Sequence, residues 1–134
     1  MKAIYTKKDA PKIIGINIES KKADILKKIS DEFKVDLIQY DDHCGEQQIG
    51  YLCKFKGFSS TEQITEIDKE ALLFSEMRPQ LLNKILDKMR YQNVTVKLKA
   101  IVTEYNQKWT VSKLLAELEK EHNIMNGGNK NDKE

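Results

Sequence analysis

Asp41-Asp42-His43-Cys44 is the densest run of reactive side chains in the chain. Carboxylate and imidazole oxygens and nitrogens bind divalent cations, and a thiol beside a histidine is the pairing that nucleophilic catalysis uses. Four consecutive residues cannot all turn toward one ion without a distorted loop. Companion ligands at other spacings are also missing, because the only other histidine is His122. The residues therefore read as a polar turn closed by Gly45, with one aspartate capping a short helix that follows. No catalytic residue, metal ligand or cofactor is assigned. Cys53 lies among Ile49, Tyr51, Leu52 and Phe55 and reads as a small buried apolar residue. The chain contains no GxGxxG, GxxxxGK[ST], HExxH, GxSxG or CxxC.

A second constellation is Asn106-x-x-Trp109-Thr110. Thr110 suits a helix N-cap, which places Trp109 at N′ and Leu114 at N4, the spacing of a hydrophobic staple. Asn106 is placed to hold the incoming loop through side-chain to backbone bonds.

The elements that must position these groups alternate along the chain. Strands are expected at Lys12–Asn17, Lys34–Tyr40, Glu70–Ser75 and Val94–Thr103, and Met1–Thr6 is a candidate fifth, edge strand. Helices are expected at Lys21–Phe33 with Ser20 as N-cap, at Pro79–Tyr91 with Pro79 in the first turn, and at Thr110–His122. A short helix is expected within Gly45–Phe55. This is an α/β chain: two β-α-β units, 12–55 and 70–124, form a mainly parallel four-stranded sheet flanked by helices. Residues 1–125 make one domain with that internal repeat, and Asn126–Glu134 reads as a disordered tail. Lys97 and Lys99 alternate with Val96, Leu98 and Ala100, which suggests a wetter strand at an edge. In a parallel sheet the carboxyl ends of the strands share one rim. Asp41, Asp42, His43, Ser75, Thr103, Asn106 and Trp109 are the candidate ligand-binding residues there.

Composition narrows the classes. The chain has 134 residues, 40% apolar and 33% charged, which is enough for one core without metal or disulfide. The net charge is +2 and the signs are well mixed, so the basic stripe of a nucleic-acid binder is missing. The apolar runs are too short for a membrane span. Met1–Lys12 has no apolar core of a signal peptide, so the chain reads as cytoplasmic with reduced cysteines.

The stretch ALLFSEM (Ala71–Met77) and, further on, LKAIVTEYNQKWTVSKLL (Leu98–Leu115) resembles a family of small bacterial and archaeal proteins described as domain of unknown function 3783. Leu98, Lys99, Ala100, Thr103, Asn106, Trp109, Thr110, Leu114 and Leu115 carry the likeness, which covers about 55 residues up to Met125. A glycine-bearing stretch at Gly50–Phe58 resembles an upstream segment of some members. Arg78-Pro79 stands where a more acidic helix start is expected. The resemblance implies no activity and carries over no catalytic residue. The residues thus favour a non-enzymatic interaction or regulatory module, with a protein partner or a second copy as the thing bound. The alternative is a small-ligand or nucleotide-binding domain, or an enzyme, using the strand carboxyl ends. RNA binding is the weakest of the three.

Overall fold

The computed structural model describes residues 10–133, with side chains through His122. The candidate strand Met1–Thr6 lies outside the described residues. The order of elements is β1 (Lys12–Ile16), α1 (Ser20–Phe33), β2 (Asp36–Tyr40), α2 (Ile49–Leu52), β3 (Ala71–Ser75), α3 (Pro79–Tyr91), β4 (Leu98–Ile101), a 3-10 turn (Asn106–Lys108) and α4 (Val111–Lys133). The last helix continues into the stretch expected to be a disordered tail. Helical hydrogen bonds close within a segment, so a polar run can continue a helix without a docking surface.

The sheet is mixed, in the order β2-β1-β3-β4. β1 pairs with β2 and β3 with β4 in parallel, as each β-α-β unit requires. The central pair, β1 with β3, is antiparallel, with Lys12 opposite Ser75 and Ile16 opposite Ala71. Exchanging the units leaves the strand order unchanged, so they are related by an approximate two-fold axis through the middle of the sheet. The backbone repeats with them. Asn17 and Glu76, each directly after its unit's first strand, have φ of 55° and 57°. Lys34 and Asn93, each closing its unit's helix, have φ of 59° and 61°.

Both faces of the sheet are covered, which explains the unbroken apolar runs of the central strands. On one face Ile13, Leu72 and Phe74 pack with Leu26 and Ile29 of α1 and Ile85 and Met89 of α3. On the other, Ile14, Ile16, Ala71 and Leu73 pack with Ile49 and Leu52 of α2 and Val111, Leu114 and Leu115 of α4. The connection between the units is tied down. Gln47 bonds Thr61 in both directions, at 2.8 and 3.1 Å. Gly45 lies so close to Thr65 O that a Cβ would sit 2.5 Å from it, so only glycine fits. Ser20 is not a cap: the N-cap of α1 is Glu19, whose N–H donates to Glu70 Oε2 at 2.9 Å.

Candidate functional site

The antiparallel central pair divides the expected rim. β1 and β2 end beside Ala71, whereas β3 ends beside Lys12, four residues along the strands. At about 3.3 Å per residue that is roughly 13 Å. Asp41, Asp42 and His43 therefore lie at one end of the sheet, and Ser75 and Thr103 at the other.

The Asp41–His43 turn is held by its own bonds. His43 N–H donates to Asp41 Oδ1 at 2.9 Å, and that bond is the main reason the Asp41 carboxyl sits below its usual range. His43 Nδ1 is 3.2 Å from Asp42 Oδ1, and Nε2 is 3.8 Å from Glu66 Oε2. The ligand atoms of the three residues lie within 4.8 Å of one another, near enough to share one divalent cation, and Asp41 and His43 are exposed to solvent. Neither aspartate caps α2, whose N-cap is Gln48. Cys44 is buried and its thiol faces Asp41 O at 3.4 Å, where burial pushes it up to about 11.

At the other end Ser75 is fully buried, and its hydroxyl has no hydrogen-bond partner among the described residues. Thr103 Oγ1 accepts from the N–H of Tyr105 and of Asn106. Asn106 is nine-tenths buried and makes the decisive contacts. Its Nδ2 donates to Ile101 O at 3.0 Å, and its Oδ1 accepts from Thr103 N–H at 2.8 Å. Val102 N–H donates to Phe74 O, so in the alternating parallel ladder Ile101 and Thr103 turn their main-chain groups away from β3, toward the open edge. The Asn106 amide thus occupies the place of a neighbouring strand and closes the edge of β4. Thr110 Oγ1 accepts from Lys113 N–H at 3.1 Å, the expected N-cap bond. Trp109 is half-buried against the cluster that includes Leu114, with Lys113 Nζ 4.9 Å from its ring centre. Asn106, Thr110 and Trp109 hold the fold together at this corner.

The residues missed by sequence reasoning flank β2. Asp36 N–H donates to Pro11 O and Asn17 N–H to Tyr40 O, so the even-numbered residues of β2 bond β1. Leu37 and Gln39 turn their main-chain groups outward, and nothing among the described residues pairs with them. Alongside lies a cleft of about 350 Å³ lined by Tyr40, Tyr51, Lys54, Phe55 and Phe58. Tyr40 Oη donates to Leu52 O at 2.8 Å, and burial pushes its phenol up to about 12. The signal for this site is a strand with no lysine and no proline that ends in Tyr40, followed by Tyr51, Phe55 and Phe58. A second groove, of about 590 Å³, lies at the carboxyl ends of β3 and β4 between Met77, Leu81, Ile101 and Val102.

Two mirrored β-α-β units, one free sheet edge and no assembled catalytic constellation among the described residues define this as an α/β domain with an exposed pairing edge. Residues 70–125, the second unit with its helix α4 up to Met125, match the family model described as domain of unknown function DUF3783. No curated protein and no solved structure matches the chain. Among the described residues, no helix is long and apolar enough to cross a membrane.

Proposed function

We propose that this chain is a cytoplasmic, non-enzymatic interaction module that binds protein through the β2 edge. An extended segment laid along β2 would bond the outward N–H and C=O groups of Leu37 and Gln39. An alternate side chain of that segment would enter the aromatic cleft. This is strand addition, in which main-chain bonds supply affinity and a side pocket supplies selectivity. The observation that carries the reading is the main chain of Leu37 and Gln39, unpaired among the described residues, beside that cleft. The test is selection from a displayed peptide library, followed by amide-shift mapping of a selected peptide. Shifts should centre on Leu37, Gln39, Tyr40 and Phe55. A second reading has one observation behind it: the groove at the β3 and β4 ends, where Glu76 and Arg78 join an apolar wall. Small-molecule binding that shifts only Met77, Ile101 and Val102 would favour that reading and sink the first.

A further inference from the structure

The charges around β2 point to what lies along it. Lys34, Asp36 and Lys54 are exposed and enter no ion pair among the described residues. Asp42, just past the other end of the strand, is half-buried beside His43. A strand with a lysine before its start and an aspartate beyond its end is complementary to itself when turned through 180°.

We propose that a second copy of this chain occupies the β2 edge, pairing antiparallel about Ile38 to join two four-stranded sheets into one of eight. This rests on the reading that β2 is the docking edge. Antiparallel bonding requires outward-facing residues to meet outward-facing residues. With the two-fold axis at Ile38, Leu37 of each copy meets Gln39 of the other, giving four main-chain hydrogen bonds. Lys34, in the left-handed turn before one strand, then lies next to Asp42, in the turn after the other, at both ends of the joined pair. Asp36 of the second copy faces Tyr40, at the mouth of the cleft that holds Lys54.

The neighbouring registers are poorer. Centring on Leu37 pairs Gln39 with Val35, whose N–H already donates to Ser30 O at 2.9 Å. Centring on Gln39 sets Asp36 against Asp42 twice, and like charges directly opposite are unfavourable. Ile38 and Tyr40 point to the cleft side and Leu37 to the α1 side. The joined sheet therefore keeps the two-sided covering that each copy already has.

Sedimentation equilibrium over a dilution series at low salt tests this on the full chain, with circular dichroism confirming that each variant folds. The chain should pass from monomer to dimer as concentration rises. Lys34→Asp alone and Asp42→Lys alone should each weaken association about tenfold, because two facing pairs turn from attraction to repulsion. An equal mixture of the two variants should recover it, since each then meets its complement, which only this register predicts. A monomer at every concentration overturns the proposal, as does a dimer indifferent to both substitutions. If removing residues 1–9 alone produces the dimer, the chain's own N-terminal segment holds the edge and the second copy is overturned as its occupant. Peptide binding at Leu37 and Gln39 by a chain that never dimerises overturns the second copy but leaves the interaction-module reading standing.

Discussion

The two edges of this sheet are built to opposite ends. β4 carries Lys99 in the strand and Lys97 just before it, and Asn106 folds back to bond the outward groups of Ile101 and Thr103. Lysines and local closure are what proteins use to stop one sheet from pairing with another. β2 has no lysine, no proline and, among the described residues, no clamp, although it is the same length within one residue and occupies the matching place in the other unit. Since the two units repeat each other's strands, helices and left-handed backbone positions, the difference between their edges is a property of these particular residues.

The largest effect is expected where the closed edge is opened. Asn106→Ala removes both amide groups and leaves the part-buried C=O of Ile101 and N–H of Thr103 without their partner. Each such loss costs about 1–3 kcal/mol, so a total near 3 kcal/mol is expected in denaturant unfolding. The variant should also aggregate more readily, because β4 then resembles β2. A near-neutral Asn106→Ala would mean that the amide is not what closes the edge.

Trp109→Ala comes next. Deleting a fully buried aromatic costs about 3–5 kcal/mol, and half-burial puts this residue at about 2 kcal/mol. Trp109→Phe should recover most of it. Tryptophan fluorescence should be quenched by iodide part of the way, intermediate between a free indole and a core one. Full quenching together with a harmless alanine would detach Trp109 from the corner that closes β4.

Why β2 escaped notice and Asn106 did not is a matter of range. Asn106 acts on Ile101 and Thr103, five and three residues away, so an asparagine after a strand was enough to suggest a loop held by side-chain bonds. The strands and helices were legible for the same reason: their apolar stripes and the Pro79 start are local. The sense in which the two units meet is not local. Lys56–Lys69 is long enough to deliver β3 in either direction, and the antiparallel outcome sent Asp41 and Ser75 to opposite ends. Cys44 was expected in an open turn. Its burial comes from Thr65, which pairs with it across 21 positions, and from the nearby start of α4.

A smaller effect should appear with pH at the junction between the units. Burial raises the Glu70 carboxyl, but the Lys22 ammonium at 2.7 Å and the Glu19 N–H outweigh it and hold the group below the usual glutamate range. A folded-state pKa below the unfolded one favours folding above the unfolded value, near 4.3, and that contribution disappears as pH falls through the folded value. From about pH 5 down to pH 3, the native chain should therefore lose stability more steeply than Glu70→Gln. Parallel curves for the two, measured by thermal unfolding, would show that the contact between the units at Glu70 does not depend on its charge.

The smallest change in stability, and the sharpest contrast between the edges, is expected at Gln39. Its side chain is exposed and its main chain faces out, so Gln39→Lys should alter unfolding free energy by less than about 0.5 kcal/mol. Native-state hydrogen exchange then separates the two edges amide by amide. In the dilute chain, the N–H groups of Leu37 and Gln39 should exchange quickly, because nothing among the described residues accepts from them, whereas Ile38, bonded to β1, should exchange slowly. Thr103, equally outward on β4, should be protected by Asn106 and should lose that protection in Asn106→Ala. Raising the concentration should slow Leu37 and Gln39 in the native chain, less so in Gln39→Lys, where a lysine now guards β2 as Lys99 guards β4. If Leu37 and Gln39 are already as slow as Ile38 at the lowest concentration, β2 is covered within a single chain, and the contrast between an open and a closed edge is wrong.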